Sequence, residues 1–343
     1  MLQRRCLVIS VMTVLSVMSS VTFARDTLES IIKKSKLTDN DVIRIEQEVA
    51  DRAKKLAEAG KKSERRKQAR EVLLATVRIN KASQAGLTAY AQACDSELGN
   101  LVTNSQLTVA FDAVLILVDL DSSETAKALA RALLSEHPAV RYRAARGIQM
   151  LHKKIAVSQE ASAMVLRALG RSGAMEKDEH VLRMIYEAIN FHAGVRNFQH
   201  ANESARALNE VLAGRVNQLK AGSRDEWKDK AGYEAAVDCY SGATPDQRRT
   251  LIKHMVRFLN NHLDRFFHEE TAKRYLKTLK RHVKDVEKAI HEMMTESKVN
   301  PPSNLVGDHL RSKPSSKTER KARDAMAELT DALNKANLLS QSP

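Results

Sequence analysis

Apolar side chains recur at three- and four-residue steps along most of this chain, which is the spacing of a helix that buries one face. A clear early stripe runs from Val42 to Leu56, follows a capping-box pattern formed by Thr38 and Asp41, and stops at Gly60. Comparable stripes predict helices over residues 61–79, 84–98, 107–120, 124–135, 139–151, 160–172 and 179–191. A buried strand over 114–120 is the alternative, which the length of the apolar run disfavours. These patterns predict an all-α fold.

Longer stripes in the second half of the chain predict helices over 202–220, 225–240, 245–268 and 270–297. Thr244, Pro245 and Gln247 combine a cap, a proline at the first helical position and a capping box, so they mark a strong helix start. The last two helices are expected to pack as an antiparallel hairpin, with self-association through the seam of 270–297 as the alternative. Residues 299–317 are predicted to be a linker, and 318–339 either a marginal helix or a disordered tail.

Residues 124–151 hold two short helical stripes on either side of a break at His137-Pro138, which is the pattern of a helical hairpin. Within it, residues 130–148 resemble a HEAT repeat, where a leucine-rich helix is followed by a proline turn and a helix of the form Val-Arg-x-x-Ala-Ala. The turn aspartate usual in that family is absent, and Ser135-Glu136 stand in its place. The matching positions of the second helix are Val140, Arg141, Ala144, Ala145 and Ile148.

A second, degenerate copy follows, because Val181 lies 41 residues after Val140 and Leu182 replaces the arginine. The stripe over 107–120 lies about one period earlier than the one over 139–151. The resemblance implies an α-α superhelix of HEAT-like hairpins over 101–195, after N-terminal helices over 25–100 and before longer packed helices over 196–298 and a C-terminal segment over 299–343. It also implies a concave binding surface and a structural role for Arg141, which would bond to a neighbouring turn.

The first 24 residues have the pattern of a secretory signal. Arg4 and Arg5 precede an apolar stretch over 6–21, and small residues end at a predicted cleavage site after Ala24. An uncleaved anchor is the alternative, but a spanning helix needs about 20 apolar residues. Cleavage would leave no membrane span in the mature chain and would place it in the periplasm or outside the cell. Removing Arg4 and Arg5 lowers the net charge only from +14 to +12.

Basic residues concentrate in two segments of the chain. Such runs bind phosphates and other anions through salt-dependent contacts, although they are more often solvated helix faces. The strong positive charge favours an acidic protein or another anionic partner, and nucleic acid stays a possibility without specific support. The candidate basic binding surface consists of Lys61, Lys62, Arg65, Arg66, Lys67 and Arg70 in the first segment and Lys273, Arg274, Lys277, Lys280, Arg281, Lys284 and Lys288 in the second.

The sequence carries no recognisable catalytic, cofactor-binding or metal-binding motif. The histidines of the C-terminal half lack the three- or four-residue spacing that metal ligands on one helix need. Cys94 and Cys239 either pair in an oxidising compartment or remain two buried free thiols. We therefore expect a non-catalytic, exported binding or scaffold protein without a cofactor. The alternatives are an adaptor for an anionic polymer or nucleic acid outside the cytoplasm, and an enzyme with an unrecognised site.

Overall fold

The computed structural model describes residues 27–195, 198–221, 229–268, 273–311 and 314–339, with the backbone alone at 273 and 274. The signal prediction over 1–24, including Ala24, lies outside these residues. The described residues form helices and no strands, so the all-α prediction is confirmed. The helices are α1 Leu28–Ile32, α2 Asp39–Ala59, α3 Ser63–Ala75, α4 Gln84–Gly99, α5 Leu107–Asp119, α6 Ala126–Ala132, α7 Pro138–Met150, α8 His152–Ile155, α9 Gln159–Met175, α10 Glu179–Ile189, α11 Ala201–Lys220, α12 Asp229–Tyr240, α13 Pro245–His268, α14 Lys273–Glu296 and α15 Ser316–Lys335.

Most helices form hairpins that contact one another in chain order. The first helices of the hairpins are α2, α4, α6, α9, α11 and α13, and each packs against the next. The second helices of the hairpins also contact one another in chain order, and they are α3, α5, α7, α10, α12 and α14. We call these the first-helix layer and the second-helix layer. Each layer needs the other to shield its apolar side chains from water, and one continuous apolar core lies between them.

Small residues allow the helices of neighbouring hairpins to approach closely. At the crossing of α9 and α11, a Cβ atom added to Gly214 would lie 2.2 Å from the Ala174 carbonyl oxygen. At the contact of α10 and α12, a Cβ atom on Gly232 would lie 2.8 Å from Cζ of the Tyr186 ring. Real Cβ atoms do not come this close, so both positions require glycine at the present helix separation.

The resemblance segment forms a hairpin of α6 and α7, and its turn is bonded to the next one. Val140, Ala144, Ala145 and Ile148 are fully buried. Arg141 donates from Nε and Nη2 to both carboxylate oxygens of Glu176, at 2.7 and 2.9 Å, and from Nη1 to the carbonyls of Ser135 and Glu136. Glu176 precedes α10 and accepts the amides of residues 177 and 178. Arg141 therefore joins two successive hairpin turns.

Replacing Arg141 by alanine is expected to lower the free energy of unfolding by about 3 kcal/mol, because the buried Glu176 carboxylate loses its charged partner. The measurement is urea denaturation followed by far-ultraviolet circular dichroism. Arg146→Ala, at an exposed position of the same helix, is the matched control and should change stability by less than about 0.5 kcal/mol. Equal effects of the two substitutions would refute the structural role of Arg141.

The C-terminal segment packs against the stack, in contrast to the predicted linker. The Glu287 carboxylate on α14 accepts the amides of Val306 and Gly307, at 2.6 and 3.0 Å, and Lys280 Nζ donates to the Leu310 carbonyl. The prediction of a linker is therefore wrong for residues 299–311, where Val306 and Leu310 are fully buried. Of the two alternatives for 318–339, a helix forms as α15, and it buries Ala322, Ala325, Met326, Leu329 and Leu333. This helix contacts the turn Val306–Asp308, and Arg323 on it lies 2.6 Å from Asp264 of α13.

Candidate binding surface

The basic segment of α3 is only partly available to a partner. Arg66 Nε lies 2.8 Å from a carboxylate oxygen of Asp112 on α5, and Arg70 lies 3.5 Å from the other oxygen. Arg66 also donates to the Gly60 carbonyl. These two arginines therefore tie the first hairpin to the second. The exposed members of the segment, none of which forms an ion pair with a described residue, are Lys61, Lys62, Arg65 and Lys67.

The basic segment of α14 is similarly divided. Lys280 is half-buried and bonds to the Leu310 carbonyl, Lys284 pairs with Asp308 at 3.1 Å, and Lys288 pairs with Glu292 at 3.6 Å. Lys277 and Arg281 are exposed. The side chains of Lys273 and Arg274 lie outside the described residues. Pairing with nearby acids thus reduces the positive field that the sequence predicts for this helix.

The two basic segments do not form one surface. One lies on α3 of the first hairpin and the other on α14 of the last, five helix contacts apart in the second-helix layer. With about 8–10 Å between packed helices, the separation is roughly 40–50 Å. This greatly exceeds the screening length of about 8 Å at physiological salt, so the two segments act independently on a charged partner.

A row of four grooves, which our sequence analysis did not predict, follows the second-helix layer. Their volumes are about 300 Å³ between α7 and α10, 340 Å³ between α10 and α12, 150 Å³ between α12 and α14, and 740 Å³ beside the turn Val306–Asp308. Neighbouring grooves share wall residues, so they lie side by side along one face of the stacked hairpins. We call it the grooved face, and its shared charged residues are Arg183, Glu187, Lys230, Glu234, Lys288 and Glu292.

The shared wall residues form the same ion pair on three successive second helices. Arg183 Nε lies 2.9 Å from Glu187 on α10, Lys230 Nζ lies 3.5 Å from Glu234 on α12, and Lys288 Nζ lies 3.6 Å from Glu292 on α14. Each cation precedes its acid by four residues, whereas a helix gains more from the reverse order. Helix stability alone therefore does not explain this arrangement, which places a row of cations beside a row of carboxylates.

The grooved face is acidic although the chain as a whole carries a net charge of +14. Eight carboxylates and five cations line the four grooves. Burial raises the pKa of the Asp285 carboxyl, which is half-buried in the groove between α12 and α14. The carboxylates are Glu187, Glu234, Asp238, Asp285, Glu287, Glu292, Glu296 and Asp308, and the cations are Arg146, Arg183, Lys230, Lys284 and Lys288.

Tyr186 gives the grooved face a buried polar group. Its ring lies under Gly232 and lines the groove between α10 and α12. The residue is fully buried, and its hydroxyl has no hydrogen-bond partner among the described residues. Burial raises the pKa of this hydroxyl well above its usual value, with the Asp229 carboxylate acting in the same direction. It therefore stays protonated and retains a donor that nothing in the described part of the chain uses.

Cys94, Cys239 and the Tyr233–His262 pair all lie in the core. Among the described residues, no three histidine, cysteine or acidic side chains come together as metal ligands. The Tyr233 hydroxyl and His262 Nε2 lie 2.9 Å apart, but both residues are buried between α12 and α13. A substrate in solvent does not reach this pair.

Cys94 and Cys239 are unbonded thiols, on α4 and α12, so the disulfide alternative is not realised in this structure. Burial raises the pKa of the Cys94 thiol to about 12, and it also raises that of Cys239. We expect neither to react with iodoacetamide in the folded protein at pH 8, because the thiolate is the reactive form. Peptide mass spectrometry should find both alkylated only in denaturant. Modification of the native protein at either position would contradict the buried placement.

Comparison with known proteins adds little to this description. Neither a family model nor a curated protein matches the chain. Solved structures do match, and one of them is a chain described as "Computational Design of Self-Assembling Cyclic Protein Homooligomers". It is 14% identical, with 85% of this chain and 96% of the other covered, at a TM-score of 0.21. A likeness at that TM-score carries no argument. Among the described helices, none is long and apolar enough to cross a membrane.

Proposed function

We propose that this chain is a non-catalytic binding or scaffold protein that holds a protein partner on its grooved face. The observation that carries the proposal is the row of four grooves across α7, α10, α12 and α14. Depressions of this size can hold the side chains of a polypeptide, and stacked hairpins present such surfaces already formed. The likeness of residues 130–148 to a HEAT repeat supports the same role, since α-α repeat proteins commonly act as scaffolds.

The placement of the titratable groups favours binding over catalysis. Burial lowers the pKa values of His152, His254, His262 and His282, and all four are buried in the core. A general acid or base must reach the proton of a bound substrate, usually within about 3 Å. The grooves present His180 and His291 together with many side chains suited to ion pairing and hydrogen bonding, which are the contacts of a recognition surface.

Site-specific photo-crosslinking tests the proposed function. Benzoylphenylalanine is placed at Glu234, in the centre of the grooved face, and at Glu210 on α11 as a matched control. Both positions are exposed glutamates, but Glu210 belongs to the first-helix layer. Illumination in the native cell envelope should give a discrete protein adduct from the Glu234 position and none from the Glu210 position. Equal adducts from both positions, or no adduct from Glu234, would refute the proposal.

A second candidate is attachment to an anionic polymer through α3. It is favoured by the exposed Lys61, Lys62, Arg65 and Lys67, and by a groove of about 330 Å³ between α2 and α3 that Arg65 lines. Substituting these four residues by glutamine should abolish binding of polyphosphate if this candidate is correct. The wild-type interaction should also weaken steeply as salt is raised.

Export is part of the proposal and rests on the first 24 residues. The charged start, the apolar stretch and the small residues before position 25 support cleavage after Ala24. We expect the mature protein isolated from its native cells to begin at Arg25, as measured by intact-mass and N-terminal peptide mass spectrometry. Ala24→Leu should slow the cleavage. A mature chain that still contains residues 1–24 would contradict this part of the proposal.

A further inference from the structure

We propose that the grooved face binds one extended segment of a partner protein, in the polyproline II conformation, with a lysine or arginine at every third residue. This inference rests on the proposed binding function and names the class of ligand. Two independent features carry it: the sign of the charge in the grooves and the spacing of the helices that form them.

The charge of the grooves favours a cationic occupant. Carboxylates outnumber cations by eight to five along the four grooves, and Glu234 and Glu296 are exposed. Ion pairs within one helix, such as Lys230–Glu234, are weak and exchange readily with an incoming charge. An incoming lysine can therefore replace the helix's own cation on Glu187, Glu234 or Glu292. An acidic segment would instead meet the larger number of carboxylates.

The spacing of the second helices selects the conformation. Helices in contact typically lie about 8–10 Å apart. Because α10, α12 and α14 contact one another in succession, we expect their three ion pairs to recur at about that interval. A polyproline II segment returns to the same side every three residues, a rise of about 9.3 Å, which matches this interval. In a β-strand, side chains on one side recur about every 6.6 Å, so they would no longer align with the ion pairs beyond the first helix. The four helices span about 27 Å, which corresponds to about nine residues in this conformation.

Fluorescence anisotropy with synthetic peptides tests the inference on the whole mature chain. The probe is a labelled peptide of four Lys-Ala-Pro repeats, which favours polyproline II and places lysine at every third position. One comparison peptide has the same composition with its four lysines contiguous, and another replaces every lysine by glutamate. The repeat peptide is expected to bind at least about tenfold more tightly than either, since only it matches both the register and the charge.

Two matched triple variants locate the binding site. The first combines Glu187→Gln, Glu234→Gln and Glu292→Gln, and should weaken binding of the repeat peptide about tenfold. The control combines Glu29→Gln, Glu58→Gln and Asp331→Asn, three exposed acids that also form ion pairs with a lysine four residues away. It changes the net charge equally and should leave binding within about twofold of the wild type. Equal weakening by both variants would show that long-range charge alone attracts the peptide, and it would overturn the inference.

Tighter binding of the glutamate peptide would overturn the ligand class. If crosslinking from Glu234 succeeds and the lysine repeat does not bind, the binding function stands and the ligand class fails. If crosslinking fails as well, both fail.

Discussion

Lowering the pH from 7 to 5 is expected to remove about 7 kcal/mol from the free energy of unfolding, because four histidines are buried in their neutral form. His152, His254 and His282 have pKa values lowered to about 4, and His262 to about 3, in each case mainly by burial. Each contributes about 1.8 kcal/mol to the difference between pH 7 and pH 5. A typical domain has only about 5–15 kcal/mol in total, so the loss is large.

The sign of this effect follows from proton binding in the two states. An unfolded histidine takes up a proton near pH 6.5, whereas the folded residues resist protonation until about pH 4 or below. Between these values the unfolded chain binds about four more protons, so acid favours unfolding. The stability is complete above about pH 7, declines as the pH falls through 6.5, and is fully lost near pH 3–4.

The neighbours of these histidines act in the same direction as burial for three of the four. Lys253 and Arg257 face His254, and His282 and Arg215 face His262, so positive charge further opposes protonation. Arg281 and Arg265 have the same effect on His282. At His152 the Ala188 carbonyl accepts from Nε2 at 2.8 Å and partly offsets the effect of burial. The carboxyls whose pKa values burial raises, Asp95, Asp285 and Glu287, offset a further part in acid.

Urea denaturation at pH 7, 6 and 5 measures the loss, with buffers of constant ionic strength. His254→Leu fills the same buried position without a titratable group, so it should recover about 2 kcal/mol of the difference between pH 7 and pH 5. His180→Gln, at an exposed position of α10, is the matched control and should leave the difference unchanged. A wild-type protein equally stable at pH 5 and pH 7 would show that these histidines are not buried as described.

The sequence predicted most of the helices because their stripes are long enough to be read without tertiary context. The capping box of Thr38 and Asp41 and the start at Pro245 both lie where the sequence placed them. By contrast, α1 has only five residues and is too short for a periodic signal. The packing of residues 299–311 depends on Glu287, about 20 residues away along the chain, whose carboxylate satisfies backbone amides there. Local pattern reading has no access to such a bond.

The grooved face escaped sequence analysis for a different reason. Its charged residues lie on four helices and become a row only when the hairpins stack, so the register is a tertiary property. A detectable signal did exist: a cation followed four residues later by an acid recurs at Arg183, Lys230 and Lys288, on three consecutive second helices. The basic residues of α3 and α14 were easier to detect because they lie close together in the sequence. Such clusters show where the charge density is high, whereas the surface of stacked hairpins is built from single residues at matching positions of successive helices.

Asp229→Ala is expected to lower the free energy of unfolding by about 3–5 kcal/mol, because it removes a buried carboxylate that pairs with the buried Arg215 guanidinium. Arg215 Nε lies 2.9 and 3.2 Å from the two carboxylate oxygens of Asp229, and the side chains are only 2% and 0% exposed. Burial alone lowers the pKa of Arg215, but the charge and the hydrogen bonds of Asp229, with smaller contributions from Tyr186 and Tyr233, together raise it. Arginine keeps its proton in proteins, so Arg215 stays charged in the variant and loses the compensation that Asp229 provides for its burial.

A double variant separates the cost of a stranded charge from the net value of the ion pair. Arg215→Met together with Asp229→Ala removes both charges, so it should recover most of the stability that Asp229→Ala loses. Asp331→Ala, which breaks an exposed ion pair with Lys335 on α15, is the control and should cost less than about 1 kcal/mol. If the double variant is as unstable as Asp229→Ala, the pair itself stabilises the contact between α11 and α12. If it recovers, the pair contributes little net stability, and its role is to fix one relative position of the two helices next to the groove that Tyr186 lines.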